Sequence, residues 1–295
     1  MEIQKIMVVG SGFMGSGIAQ AAVQAGYDIV LNDTSQELAA RGAATVSDHL
    51  ERQVVKGKIG EQDKNRMVAR IKPSFKLDDA AGVDLVIEAA FEDFNVKKGI
   101  YEKLQSICGP EIVFATNTSS LSITKLASTI KRPERFIGMH FFSPVPVMAL
   151  VEIIKGLKTS VETVETVEDV VSKMGKKSVR VKDVPGFLVN RINNALRNEA
   201  YNCLMEGVAG LEDIDKALKL ALGHPMGPFE LADFVGLDVG LAVARTLYDG
   251  YKDVRWRPNM TLEKLVQSGD LGRKSGKGWY DYTSGEKKPR SDIDF

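Results

Sequence analysis

The chain is poor in the residue types that build disulfide frameworks and metal cages. Only Cys108 and Cys203 occur in 295 residues, and there is no CxxC. The three histidines, His49, His140 and His224, are scattered, so neither a disulfide scaffold nor a structural zinc site is expected. Both thiols read as reduced core or boundary residues. An excess of one charge is lacking too: 39 basic and 39 acidic residues leave a formal net charge of zero. That balance gives no electrostatic footprint for nucleic acid or an anionic membrane surface. Long hydrophobic runs are also missing. Stretches such as Met148 to Ile154 fall far short of the ~20 residues of a membrane span, and no leader-like segment precedes the first apolar run. A soluble, cytoplasmic protein of one large or two ordinary domains is expected.

What is present begins at the N-terminus. Lys5-Ile6-Met7-Val8-Val9 reads as a buried strand, Gly10-Ser11-Gly12-Phe13-Met14-Gly15 follows at once, and Ser16 to Ala25 has helical apolar spacing closed by Gly26. A second apolar run, Tyr27 to Leu31, leads to Asp33. Strand, glycine turn, helix, strand and acid together form a dinucleotide-binding fingerprint. Gly10 makes the tight turn, Gly12 lets backbone approach a pyrophosphate, and Gly15 lets helix pack on strand. Asp33 would accept hydrogen bonds from the adenosine ribose, and its charge favours NAD over NADP; Arg41 on the next helix leaves NADPH use open.

A helical pattern runs from Gln36 to about Ile71, broken near Lys56-Gly57-Lys58-Ile59-Gly60, as in a helical hairpin inserted in the nucleotide fold. Val83 to Ala90 and Ile112 to Ala115 then read as short strands followed by helices, the alternation of a parallel, doubly wound α/β sheet. Arg135 to Phe142 and Ala149 to Ile154 add strands, Ser160 to Met174 a helix, and Ser178 to Val181 another strand. The first domain, a Rossmann-type unit, is expected to span residues 1–182. After the breaker Asp183-Val184-Pro185-Gly186, strand signals nearly vanish. Helices are expected over Phe187 to Glu206, from Leu211, over Pro228 to Val235 and over Leu237 to Tyr251, so residues 183–295 read as an all-α domain with a loose tail at Glu286 to Phe295.

Ligands of an open α/β sheet sit beyond the carboxyl ends of its strands. Three ends carry chemistry: Glu92 with Lys97, the run Thr116-Asn117-Thr118-Ser119-Ser120, and His140. The hydroxyl run suits a helix cap, through Ser119 or Ser120, and equally a ligand contact. His140 gains weight from Glu152, a lone carboxylate inside Val147 to Ile154. A buried carboxylate is costly unless paired, and an imidazole is a natural partner. Such a pair is a general base with an orienting acid. His224, in a rigid turn, is the rival base and reads as structural, and His49 reads as surface. Asn190 lies among Phe187, Leu188, Val189 and Ile192 beside the domain hinge, where clefts form.

At these residues the chain resembles the L-3-hydroxyacyl-CoA dehydrogenase family, above all its bacterial short-chain members. The likeness rests on Gly10 to Gln20, Asn117 to Leu121, His140 to Met148, Pro185 to Arg191 and Pro225 to Leu231. It implies reversible hydride transfer between C3 of a short (S)-3-hydroxyacyl-CoA, such as 3-hydroxybutyryl-CoA, and a nicotinamide cofactor. The catalytic histidine and its glutamate fall on His140 and Glu152, and the substrate-orienting pair on Ser119 and Asn190. By the same likeness Phe13, Met14, Glu92, Lys97, Asn117, Ser119, Ser143 and Lys274 line the dinucleotide, and Lys56 meets the phosphates of coenzyme A. Ser143 stands where the family commonly has asparagine, and His49 where relatives can carry a coenzyme-A-contacting serine. The chain reads as the monofunctional form, without a hydratase domain. A homodimer through the helical domain is expected. The alternatives are a dehydrogenase of a free hydroxy acid and a non-catalytic dinucleotide-binding protein.

Overall fold

A computed structural model describes residues 2–290 and Asp292. The chain divides into two compact units, Met1–Val184 and Pro185–Phe295. In the first, β1 (Lys5–Val9) leads through the glycine turn into α1 (Phe13–Gln24) and β2 (Asp28–Asn32). Next, α2 (Gln36–Val55) and α3 (Glu61–Ala69) form the helical hairpin, which ends in β3 (Ile71–Ser74). Then come β4 (Leu85–Glu88), α4 (Phe94–Ile107), β5 (Val113–Thr116), α5 (Ile123–Ala127), β6 (Phe136–Phe141), β7 (Leu150–Lys155), α6 (Val161–Lys173) and β8 (Lys177–Lys182).

These eight strands make one sheet in the order β3-β2-β1-β4-β5-β6-β7-β8. The first six are parallel, in the strand order of a Rossmann fold. Its central strands are apolar on both faces: Ile6, Met7, Val8, Leu85, Val86 and Ile87 are all buried. Side-chain caps start several of the helices. Ser35 accepts from Leu38 N in α2, Asp93 from Asn95 N and Val96 N in α4, and Ser160 from Thr163 N in α6.

Three features of this unit differ from the sequence pattern. The hairpin is the crossover that joins β2 to β3, and the helical spacing ends at Ala69 because Ile71 to Ser74 pairs with β2 instead. Pro73 has no amide to donate, which an edge strand tolerates. Second, β7 runs antiparallel to β6. The link from Phe142 to Ala149 is too short for the crossover that a parallel pair needs. Third, His49 is half-buried, with Nδ1 3.1 Å from Gln20 Oε1 on α1, rather than a solvated surface residue.

The second unit contains α7 (Val189–Met205), α8 (Leu211–Leu222), α9 (Pro228–Val235), α10 (Leu237–Tyr251) and α11 (Met260–Gln267). Its core stacks Tyr201 on Trp279, with ring centroids 4.6 Å apart, and sets Phe229 edge-on to Trp279. Helix α11, which the sequence reading passed over, is capped by Asn259 and buries Leu262 and Leu265. The tail is not wholly loose. A short ribbon pairs β9 (Tyr280–Asp281) with β10 (Lys288–Pro289), and Arg290 binds Asp270 and the Gly278 carbonyl. Residues 291 and 293–295 of that expected tail lie outside the described residues. Among the described residues no helix is long and apolar enough to cross a membrane, and no cluster of metal-ligating side chains occurs.

Candidate active site

The glycine turn shows what each glycine does. Gly10 has φ +94, and a Cβ there would lie 2.5 Å from the Ala89 carbonyl oxygen. At Gly15 a Cβ would meet the Gly10 carbonyl oxygen at 1.7 Å, so α1 can pack on β1 only without a side chain. Gly12 is different: nothing lies within 4 Å of its missing Cβ. It is the N-cap of α1, and no side chain caps that helix. An open, uncapped helix start is the arrangement a pyrophosphate needs, and the chain fits a dinucleotide here. Phe13 is exposed and Met14 half-buried at the same helix start. Asp33 receives Ser11 N at 2.8 Å, Ser11 Oγ at 2.7 Å and Thr34 N at 2.7 Å. Burial raises its pKa, but these hydrogen bonds outweigh that and hold the carboxyl below its ordinary value. Asp33 is therefore an anion tied to the glycine turn itself, which sets its position beside any ligand there.

Beyond β4 and β5 the polar residues form one network. Glu92 Oε1 accepts from Thr118 Oγ1 at 2.5 Å, Ser119 N at 2.9 Å, Ser120 N at 3.1 Å and Ser120 Oγ at 2.9 Å. Burial raises the Glu92 pKa, yet the charge of Lys97 and these bonds bring it below the ordinary value. The hydroxyl run therefore does not cap the following helix; Ser122 does, accepting from Lys125 N. Ser119 and Ser120 instead sit in a loop clamped by Glu92. Lys97 is 1% exposed, and its Nζ is 2.6 Å from Glu88 Oε1 and 3.3 Å from Glu92 Oε2. It holds the loop from beneath. Glu88, fully buried, also accepts from Thr116 Oγ1 at 2.7 Å and Ala90 N at 2.6 Å. Sequence reading missed Glu88. The signal was available, since a lone carboxylate in an apolar strand is the same anomaly that singled out Glu152.

At the end of β6, His140 lies directly opposite Glu152 of β7 in the strand register. Glu152 is 0% and His140 6% exposed, and His140 Nδ1 is 2.7 Å from Glu152 Oε2. An ionised carboxylate only accepts, so Nδ1 carries the proton and Nε2 the lone pair. The imidazole also packs on Phe142, centroid to centroid 4.7 Å. Asn117 Oδ1 accepts from Phe141 N at 2.9 Å, which ties the end of β5 to the residue after His140. Lys176, buried, donates to the Val145 and Met148 carbonyls at 2.6 and 2.8 Å and pins the loop that contains the exposed Ser143. No sequence signal marked that lysine.

The remaining expected site residues lie on the helical hairpin and in the second unit. Lys56 is exposed at the C-cap of α2, the hairpin tip. In the second unit, Asn190 is half-buried in the first turn of α7. Lys274 pairs with Asp238 at 2.5 Å, and His224 is half-buried in the turn after α8.

A glycine turn under an uncapped helix, and a histidine backed by a buried carboxylate at the same edge of one sheet, define a dinucleotide-dependent oxidoreductase. Comparison with known proteins carries this to a family. Residues 5–184 match the 3-hydroxyacyl-CoA dehydrogenase NAD binding domain, and residues 186–282 the C-terminal domain of 3-hydroxyacyl-CoA dehydrogenase. A 3-hydroxybutyryl-CoA dehydrogenase of Bradyrhizobium diazoefficiens is 47% identical over 97% of this chain and 98% of its own. Pig mitochondrial hydroxyacyl-coenzyme A dehydrogenase is 39% identical over 95% of this chain and 91% of its own. The crystal structure of (S)-3-hydroxybutyryl-CoA dehydrogenase from Ralstonia eutropha superposes with a TM-score of 0.93 at 47% identity, covering 95% of this chain and 99% of that one. The chain belongs to the 3-hydroxyacyl-CoA dehydrogenase family, and it is an oxidoreductase that uses NAD.

Proposed function

We propose that this protein interconverts (S)-3-hydroxybutyryl-CoA and acetoacetyl-CoA; the Bradyrhizobium and Ralstonia relatives are named 3-hydroxybutyryl-CoA dehydrogenases. The observation that carries this reading is the His140–Glu152 pair. Oxidation of a secondary alcohol needs a base for the hydroxyl proton at the moment its C3 hydride leaves. Bound NAD supplies the acceptor for that hydride. His140 Nε2 takes the proton in oxidation and returns it in reduction, while Glu152 holds the ring and stabilises its protonated form. Ser119, in the loop clamped by Glu92, and Asn190 orient the reacting oxygen and the thioester carbonyl.

On the cofactor side, Gly10, Gly12, Phe13, Met14 and Gly15 receive the pyrophosphate and Asp33 the ribose. Glu92, Asn117, Ser143 and Lys274 line the remainder, with Lys97 acting through Glu92 rather than by direct approach. Lys56 at the hairpin tip meets the phosphates of coenzyme A as a mobile point charge. We further infer a cytoplasmic homodimer joined through the second unit, whose surface carries Val208, Leu220 and Leu222. The test is oxidation of NADH by acetoacetyl-CoA, followed beside NADPH and free acetoacetate. Turnover of the free acid, or none with the thioester, would overturn the reading.

A further inference from the structure

Helix α6 closes on a left-handed glycine. Gly175, at φ +70, donates to the Ser172 carbonyl at 2.9 Å, and Lys176 N reaches the Val171 carbonyl at 3.1 Å. In this kind of helix end the second residue beyond the cap folds back onto the last turn, and an apolar side chain commonly stands there. Here it is a lysine, 8% exposed. Burial lowers its pKa, and among the described residues no carboxylate pairs with its ammonium. A buried cation without an anion is costly, so the contacts it does make explain its presence.

Those contacts are two carbonyls of one loop, Val145 at 2.6 Å and Met148 at 2.8 Å. The loop, from Phe142 to Ala149, links β6 to β7 and so joins the strand of His140 to the strand of Glu152. Pro144 and Pro146 leave it short of amide donors. Val147 N and Met148 N both go to the Pro144 carbonyl at 3.0 Å, so a donor for the Val145 and Met148 carbonyls has to come from outside the loop. The Lys176 ammonium meets both at once. On one side the loop rests on the dinucleotide helix. Val145 is 2% exposed, and a Cβ on Gly17 of α1 would lie 2.9 Å from Val145 Cβ and 3.5 Å from Pro146 Cδ. At its start, Phe142 packs its ring on the His140 imidazole, centroids 4.7 Å apart. Glu152 fixes that imidazole at Nδ1, and Phe142 bounds its tilt.

We propose that Lys176 is a positioning residue for the reaction: by clamping the β6–β7 loop onto α1 it keeps Phe142 against His140, and so keeps the base aligned with the cofactor helix. It acts through the loop rather than by touching either reactant. A base displaced by a fraction of the proton-transfer distance loses rate without losing ligand, so the effect belongs to kcat. The inference rests on the reading of His140 as the base given above.

The test disturbs the loop from its two sides. Lys176→Met removes the donor, whereas Gly17→Ala leaves the lysine and pushes Val145 away from α1. For each, kcat with acetoacetyl-CoA and NADH should fall about 10- to 100-fold per folded molecule, while Kd for NADH by direct titration stays within about threefold, because Gly12 and Asp33 are untouched. NADH-binding stoichiometry counts the folded molecules. In the double variant the loss should not exceed that of the worse single variant, since the loop is already displaced. Full additivity overturns the clamp. So does wild-type kcat in folded Lys176→Met, a loss confined to Kd, or a loss that only tracks the folded fraction, which would make the lysine structural. If Lys176→Met fails to fold, Gly17→Ala decides, and unchanged kcat there overturns the inference; failure of both to fold makes the loop a requirement of the fold alone and overturns it too. If His140→Ala keeps wild-type turnover, the reading of the base falls and the inference with it. If His140→Ala is inactive and the loop variants are unimpaired, only the inference falls.

Discussion

Glu152 faces His140 across an antiparallel strand pair, 2.7 Å from its Nδ1 and wholly removed from solvent. A carboxylate in that position is held by the sheet register rather than by a loop, so it fixes both the ring orientation and the tautomer. Glu152→Gln keeps the shape but can donate to Nδ1 and so favour the wrong tautomer. We expect kcat to fall by about two to four orders of magnitude, and by at least as much in His140→Ala, which also takes the imidazole from the buried Glu152 carboxylate and should lower thermal stability. Steady-state rates with acetoacetyl-CoA and NADH check this. Wild-type turnover in His140→Ala would remove the histidine from the mechanism.

The three glycines of the turn should separate by experiment. Gly12→Ala meets no atom of the protein, so its melting temperature should match the wild type while KM for NADH rises at least tenfold. Gly15→Ala must displace the Gly10 carbonyl and should fail to fold or lose several degrees of stability. Calorimetry and NADH titration of both variants decide. An unfolded Gly12→Ala would contradict the open space found there.

Beneath the loop that carries Ser119, the Glu88–Lys97 pair is buried on both sides. Lys97→Met strands the Glu88 carboxylate and should cost about 3–5 kcal/mol in denaturant unfolding. Adding Glu88→Gln should recover part of that loss. A single-variant cost below about 1 kcal/mol would show that the pair is screened.

The acid limb of stability should depend on Glu230. Burial raises its pKa, but Lys287, the Gly227 amide and Lys219 together bring it down to about 2 from an ordinary 4.5. A carboxyl with a depressed folded pKa contributes stability that is complete above the unfolded value and is lost as pH falls through the folded one. Glu230→Gln should therefore lower the melting temperature most at neutral pH, with the gap to wild type closing between about pH 4.5 and 2. A gap constant over that range would refute the assignment.

Much of the nucleotide-binding half is legible because its signals are local. A strand, a glycine turn and a helix are coded by neighbours, and the lone carboxylates of apolar strands mark themselves by their cost. Glu88 was as visible as Glu152 in that respect, but its partner, Lys97, sits on a helix where a lysine looks solvated. The edge strand Ile71–Ser74 escaped because Lys72 and Pro73 break the apolar pattern that central strands carry. Helix α11 escaped because it is short and follows a stretch rich in arginine and proline.

The order of residues was enough to specify a dinucleotide fold, an α-helical second unit and His140 at the ligand edge, since periodicity and turn chemistry act within a few residues. Folding alone settled which groups meet. The reversal of β7, forced by a short link, set Glu152 opposite His140; Glu92 became the clamp of the serine loop; and Gly17 made room for Val145. Those pairings join distant parts of the chain, where strand register and helix packing, rather than local preference, fix the distance.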